Sequence, residues 1–257
     1  MRDQHKTEHY WPERLDLLQE DKEFFQNLAS KNPPPAKKHR NALNMLQGIY
    51  FETALAKYSA GLDMDEVAHD ALTSVCDTFP NLVQTYPPKT EFAATRPGYS
   101  QVHRQIAILV LSKATAPQVA AYFAAFDMFD LEADSYGGYD RIWTAYRAKF
   151  GLPLQGDPAQ THWPEAFAPL WLAFDPAEPD FGRAHSVKKF LENWYQEMAP
   201  QLAAQTDRPG TKEFPNSYVG YWCIEAAAAV VALGLDDTSF RDHPHYPKDW
   251  ADWARLG

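Results

Sequence analysis

The stretch YVGYWCIEAAAAVVALGLDDTSFRDHPHYPKDW, from Tyr218 to Trp250, decides the fold of this chain. Its first half, residues 218–235, is apolar on all sides apart from Glu225, a pattern typical of a helix at the centre of a bundle. An Asp-Asp turn and a His- and Pro-rich crossing follow, and Pro247 is placed to open a last helix. The stretch therefore predicts a buried helix tied to a rigid turn.

Helical periodicity extends along the rest of the chain. Apolar residues recur three or four positions apart, and no stretch shows the alternation of a half-buried strand over more than a few residues. Gly61 is placed to end the second helix, and Asp63 is placed to cap the third. We predict an all-α, multi-helix bundle of two packed helical clusters with little or no β structure, divided into residues 1–135 and 136–257. The predicted helices cover 12–32, 36–58, 63–79, 99–113, 117–131, 140–150, 164–173, 184–199 and 218–235, with a last one from 247.

Composition indicates a soluble cytoplasmic protein. The chain has 257 residues, 45% of them hydrophobic, and eight tryptophans, which is a globular composition. Its two cysteines, Cys76 and Cys223, are far apart and suggest neither a disulfide framework nor a metal site, which favours a reducing compartment. The first residues lack the apolar core of a signal peptide, and no apolar stretch approaches the roughly 20 residues that span a bilayer.

The net charge of −10 disfavours direct binding to nucleic acid, because phosphate backbones are bound through Lys and Arg. Residues 1–40 hold eight bases and seven acids, which leaves 27 acids against 16 bases in the remainder. This excess of acids after residue 40 either keeps the protein soluble or suits a basic partner. A protein that handles DNA or RNA is the most common basic partner.

Two features of the stretch 218–250 raise the question of chemistry. Glu225 on an apolar helix is either a structural residue paired with an Arg, a Tyr hydroxyl or a Trp N–H, or a general acid or base. His243 and His245 lie among Asp236, Asp237, Asp242 and Asp249, so they form either a rigid turn or a metal site. The sequence contains no catalytic motif. We therefore expect no enzyme, no cofactor and no metal, with a metal-dependent hydrolase using Glu225, His243 and His245 as the alternative.

Acidic tracts with neighbouring aromatic residues are the candidates for a binding surface. The first lies within residues 127–140, which hold no base, and the second lies in the Pro-rich connection before Arg183. Aromatic residues are common anchors of protein interfaces, although a solvated acidic face with aromatic residues in the core gives the same pattern. The interleaved aromatics include Trp163 and Phe181. The predicted toxin-binding candidates are Asp127, Asp130, Glu132, Asp134, Tyr136, Tyr139, Asp140, Trp171, Asp175, Glu178 and Asp180.

Three segments together resemble the PoNi immunity proteins, the cognate inhibitors of polymorphic nuclease toxins. Residues 218–250 are similar to the signature of their C-terminal module, and Val187–Tyr195 is similar to the helix before it. Lys57–Leu62 resembles part of their N-terminal module. The signature positions are Tyr218, Gly220, Tyr221, Trp222, Glu225, Asp236, Asp237, Phe240, Tyr246, Pro247 and Asp249.

The resemblance implies a cytoplasmic bacterial immunity protein that neutralises a DNase effector, commonly one delivered by type VI secretion. The implied partner is the toxin with its basic DNA-binding cleft, which an acidic surface would fill. The resemblance does not identify individual toxin-binding residues in this chain. A general helical adaptor without a toxin partner is the second alternative.

Overall fold

A computed structural model describes residues 1–3, 5–86, 98–128, 141–153, 164–198 and 217–256. All regular structure within these ranges is helical, which confirms the all-α prediction. None of the helices there has both the length and the apolar content needed to cross a bilayer. The α-helices are α1 (Tyr10–Lys31), α2 (Lys37–Ala60), α3 (Met64–Leu72), α4 (Phe79–Gln84), α5 (Tyr99–Leu111), α6 (Ala116–Phe126), α7 (Arg141–Lys149), α8 (Pro164–Ala173), α9 (Asp180–Met198), α10 (Ile224–Leu233) and α11 (Lys248–Arg255), with a π-helical segment at Thr73–Thr78.

The chain divides into two compact units, and each is formed by separate parts of the sequence. Helix α5 belongs to unit 2, and the boundary falls within α6. The predicted boundary near residue 135 lies outside the described residues, so the division into 1–135 and 136–257 stays a prediction. Unit 1 comprises Met1–Phe92, Ala121–Met128 and Leu202–Tyr221, and unit 2 comprises Ala93–Ala120, Phe129–Gln201 and Trp222–Gly257.

Ion pairs connect the first three helices of unit 1. The Arg14 guanidinium on α1 donates to the Glu52 carboxylate on α2 at 2.7 Å. The buried Asp70 carboxylate on α3 lies 2.9 Å from the Lys57 ammonium and 3.4 Å from that of Lys22. Since an unpaired buried carboxylate is costly, Lys57 and Lys22 allow Asp70 to be buried where α3 packs against α2.

The turn after α2 confirms two predictions, and the segment after α3 contradicts one. Gly61 has φ +85° and ends α2, and the Asp63 side chain accepts the Asp65 N–H at 2.8 Å. The predicted end of the third helix at Phe79–Pro80 is wrong, because helical structure continues through the π-helical segment into α4. Pro80 lies in the first turn of α4, directly after the π-helical segment.

An aromatic core lies within unit 2, around a buried histidine. The His103 ring stacks on Phe167 at 4.6 Å and accepts a hydrogen bond from the Trp143 indole at 3.1 Å. Burial lowers the pKa of His103 to about 3, so the ring stays neutral and acts as an acceptor. His103 is therefore a core residue of the α5–α7–α8 packing.

The helix predicted over residues 218–235 begins later, at Ile224. The sequence-based start was wrong because Gly220 has φ +105°, outside the helical region and favourable only for glycine. The chain enters α10 from an irregular buried segment, residues 217–223. This conformation gives a physical reason for a glycine at this signature position.

Side chains from the start of the chain and from α2 replace the missing helical bonds in unit 1. The Tyr218 carbonyl accepts from the Tyr10 hydroxyl at 2.8 Å, and the Val219 carbonyl accepts from the Ser59 hydroxyl at 2.8 Å. The Tyr218 hydroxyl in turn donates to Asp3 at 2.6 Å. These bonds satisfy a buried irregular backbone, as the burial of polar groups requires.

We expect Gly220→Ala to destabilise the protein by about 1–3 kcal/mol, since a Cβ strains a residue at positive φ. Gly48→Ala is the matched control, because a Cβ there meets nothing within 4 Å and the residue lies inside α2. The control should stabilise by roughly 0.5–1 kcal/mol. Urea denaturation measures both changes, and a Gly220→Ala variant as stable as the wild type would contradict the assigned backbone conformation.

Candidate functional site

The turn after α10 is held by a buried carboxylate, Asp237. It accepts the Tyr246 hydroxyl at 2.8 Å and lies 3.2 Å from the Arg255 guanidinium and 3.3 Å from that of Arg241. Arg241 also pairs with Asp252 on α11. Burial, reinforced by the Asp237 charge, raises the pKa of Tyr246, which therefore stays a neutral donor. The signature residues Asp237 and Tyr246 are thus parts of a lock between this turn and α11.

Further signature residues complete the same turn. Asp236 is exposed and accepts the Thr238 N–H at 3.0 Å, as expected for an Asx turn. Phe240 is buried and packs edge-on against Tyr246 at 5.4 Å. Pro247 directly precedes α11 and Asp249 lies in its first turn, close to the predicted start of that helix. The interpretation of this crossing as a rigid turn agrees with these contacts.

Glu225 lies buried on α10, next to the kinds of partner that the sequence predicted. The Arg104 guanidinium lies 3.7 Å from its carboxylate. Burial raises the pKa of Glu225, while Arg104 and the Trp194 indole offset part of that rise. The Glu225 charge in turn adds to the effect of burial in raising the pKa of Tyr146. Among the described residues, Glu225 is therefore explained as a structural carboxylate with an Arg partner.

The raised pKa makes stability depend on pH with a definite sign. An acid that binds its proton more tightly in the folded state loses stabilising free energy as pH rises from the ordinary value of 4.5 through the folded pKa. We expect Glu225→Gln to remove this loss, so the variant's stability relative to the wild type should increase between pH 4.5 and pH 8. Urea denaturation across this range measures it, with Glu192→Gln on the exposed side of α9 as control. Parallel pH profiles for the wild type and Glu225→Gln would contradict the assignment.

The described part of the chain contains no group of three or more His, Cys, Asp or Glu side chains close enough to hold a metal ion. The rings of His243 and His245 lie 5.5 Å apart, and His245 stacks on Tyr195 at 5.0 Å. His245 is therefore packed against α9. The described residues give the hydrolase alternative no three-residue ligand set.

Two of the predicted toxin-binding residues, Trp171 and Asp175, contact the side chain of Arg141. The Arg141 guanidinium lies 3.6 Å from the centre of the Trp171 ring and donates to the Asp175 carboxylate at 2.6 Å. Asp175 also accepts the Ala177 N–H at 2.9 Å. This N–H, then Arg141 and Arg183, keep the pKa of Asp175 low. Both residues thus have an evident role in fixing the turn after α8.

The exposed acids of the second tract lie where α9 begins, four residues earlier than predicted. Glu178 and Asp180 are exposed, and Phe181, the second residue of α9, is 86% exposed. Arg183 lies 3.7 Å from Asp180 but donates two bonds to the Asp175 carbonyl, which turns it toward the preceding loop. We call Glu178, Asp180 and Phe181 the α9 surface.

A surface cavity of about 450 Å³ adjoins the α9 surface. Asp236 of the signature turn lines it together with Asp180 and Phe181, so the second acidic tract and the signature meet here. The cavity is wide enough for a long basic side chain that enters between two carboxylates. Its lining residues are Asp180, Phe181, Ala184, His185, Lys188, Asp236 and Ser239.

The other predicted toxin-binding residues belong to the first tract. Asp127 is exposed, directly after α6 in unit 1. The rest lie outside the described residues, so their part in binding stays a prediction: Asp130, Glu132, Asp134, Tyr136, Tyr139 and Asp140. Sequence reasoning counted Phe181 among the interleaved aromatics but did not select it, and it assigned Asp236 only a structural part. A phenylalanine next to two acids at a helix start was the available signal for Phe181.

Residues 140–250 match the family profile described as "PoNe immunity proteins (PoNi), C-terminal". The match identifies this segment, 111 of the 257 residues, as a PoNi C-terminal module. The matched segment contains α7 to α10, the whole signature turn and the first residues of α11. PoNi proteins are immunity proteins against nuclease toxins, so the coarse function follows from the family. The match does not include residues 1–139, and the resemblance of that part to the PoNi N-terminal module stays a prediction.

In three dimensions this PoNi protein is similar to the crystal structure of protein PA2201 from Pseudomonas aeruginosa. The TM-score is 0.71 at 20% sequence identity, and the similarity covers 99% of this chain and 90% of that chain. At this identity the similarity shows that the fold is shared. A comparison with curated protein sequences gives no match.

Proposed function

We propose that this PoNi protein neutralises a DNase toxin, delivered by type VI secretion, in the cytoplasm of the cell that makes it. The α9 surface enters the basic DNA-binding cleft of the toxin. The observation that supports this most strongly is that Phe181 is 86% exposed, directly after Asp180, and lines a surface cavity. An isolated aromatic side chain in water contributes nothing to folding, and aromatic anchors surrounded by polar groups are typical of interface centres.

Charge supports the same partner. The chain carries a net charge of −10, and a DNA-binding cleft is basic because it neutralises phosphates. An acidic surface therefore accelerates association with such a cleft and suppresses acidic partners. Asp180 and Asp236 line one cavity, which also contains Lys188, and the exposed Glu178 lies two residues before Asp180 in the chain.

We expect a nuclease to be encoded next to this protein's gene, and the direct test uses that nuclease. Purified protein is titrated into a plasmid-cleavage reaction that contains this nuclease. We expect cleavage to stop when the protein equals the nuclease in concentration, because occupation of the cleft excludes DNA. Cleavage that continues at a large excess of a well-folded protein would refute the proposal.

A further inference from the structure

We propose that the outward face of helix α1 is a second contact surface for the same basic toxin, an inference that rests on the proposed function. This outer α1 face consists of Glu13, Asp16, Leu17, Glu20 and Phe24, all exposed. Their spacing of three or four residues puts them on one side of the helix. The face belongs to unit 1 and is separate in the chain from the α9 surface of unit 2.

The basic residues of α1 near this face are directed away from it. Arg14 is buried and donates to Glu52 at 2.7 Å. Lys22 lies 3.4 Å from the buried Asp70 and 5.0 Å from the centre of the Tyr50 ring. Within the described part of the chain, no Lys or Arg forms an ion pair with Glu13, Asp16 or Glu20. Between Glu13 and Phe24 the helix thus separates its charges, with Arg14 and Lys22 toward α2 and α3 and the acids toward solvent; its third base, Lys31, is exposed in the last turn.

Two large apolar side chains lie among these acids. Leu17 is 39% exposed and Phe24 is 61% exposed, whereas Trp11 and Leu18 on the inner side are buried. The core of α1 is therefore formed by another stripe of the helix, and folding does not account for the outer pair. Apolar anchors in a polar surround are the usual composition of a binding face.

The arrangement also has a cost in the free protein. Glu13 and Asp16 are three residues apart, and Asp16 and Glu20 are four apart, so like charges lie side by side along the helix. A purely solvated face would gain from a mixture of signs. A binding face keeps such repulsion because a cationic partner removes it, which is the common conflict between function and stability.

Charge selects the occupant of this face. A second copy of the chain would bring acids against acids, and an anionic membrane would repel them. A basic toxin segment with an apolar contact residue satisfies both the carboxylates and the Leu17–Phe24 pair. The helix offers 22 residues, long enough for such a segment to lie along it.

Two variants test the inference by their affinity for the catalytically inactive nuclease and by thermal unfolding. Asp16→Asn with Glu20→Gln should weaken binding about tenfold while the free protein becomes equally or more heat-stable. Leu17→Ser with Phe24→Ser should weaken binding by a similar factor, about tenfold, without a change in oligomeric state. Leu62→Ser, whose side chain is 37% exposed, is the control for the apolar variant. Asp77→Asn with Glu197→Gln is the control for the charge variant, and all three residues lie outside α1.

The outcomes separate the two proposals. If both α1 variants bind within about twofold of the wild type while substitution of the α9 surface abolishes binding, the α1 inference is overturned and the proposed function stands. A change from oligomer to monomer on Leu17→Ser with Phe24→Ser would assign the face to a second copy and also overturn it. If the wild type fails to bind the nuclease at all, the proposed function itself fails.

Discussion

The variant Glu178→Lys, Asp180→Lys, Phe181→Ser is expected to bind the cognate nuclease at least about 100-fold more weakly than the wild type. Truncation of an aromatic hot-spot residue alone typically costs about 2 kcal/mol or more of binding free energy. Each lysine then opposes the cationic cleft, and like charges across an interface are strongly unfavourable. Isothermal titration against the inactive nuclease measures the change.

The fold should survive these three substitutions. Phe181 is 86% exposed and the two acids face solvent, so the thermal midpoint should fall by no more than about 3 °C. The matched control is Asp77→Lys, Glu197→Lys, Leu256→Ser, in which Leu256 is 85% exposed and the charge change is the same. The control should bind nearly as the wild type does. Equal loss of binding in the two variants would show that net charge alone causes the effect. It would contradict the assignment of the α9 surface as the toxin-binding site.

The largest stability effect is expected for Asp237→Ala, at about 3–5 kcal/mol. The substitution leaves the buried Tyr246 hydroxyl without its acceptor and removes the buried one of the two carboxylates, Asp237 and Asp252, that Arg241 and Arg255 share. Since these groups connect the signature turn to α11, the turn and the helix should loosen together. Urea denaturation measures the loss.

The neighbouring acid provides the control for Asp237. Asp236 is exposed, and its side chain bonds only to Thr238 of its own turn within the described contacts, so Asp236→Ala should cost about 0.5–1.5 kcal/mol. Asp237→Asn should fall between the two, because an amide oxygen still accepts from Tyr246 but carries no charge. Similar losses for Asp236→Ala and Asp237→Ala would show that the carboxylate network does not hold the turn.

Local rules predicted much of this fold because the chain follows them. The helical periodicity gave the element type over most of the described residues, with 80–84 and 218–223 as exceptions, and Gly61 and Asp63 marked a turn through their own backbone and side-chain chemistry. The interior position of Glu225 also followed from a single carboxylate on an apolar helix, and its partner Arg104 is of the predicted kind.

Long-range contacts decided what local rules missed. The start of α10 was misplaced because residues 217–223 are held by Asp3, Tyr10 and Ser59, more than 150 residues away in the chain. No periodicity encodes such hydrogen bonds.

The candidate site shows the same limit. The sequence could not distinguish Asp175, which is bound to Arg141, from Asp180, which faces solvent, since both are acids in one tract. The near balance of charge in residues 1–40 likewise concealed the separation of bases and acids on opposite sides of α1. Both distinctions depend on which side of a packed helix a residue occupies, and composition does not contain that information.

The central claim is that this PoNi protein occupies the DNA-binding cleft of a nuclease toxin, and a displacement measurement tests it most directly. A fluorescent DNA duplex is bound to the catalytically inactive nuclease, and its anisotropy is followed as the protein is added. The account predicts that DNA is released in full at one equivalent of protein, and that the α9 surface variant releases none at that concentration. A stable ternary complex, in which the wild-type protein binds the nuclease while the DNA stays bound, would contradict it.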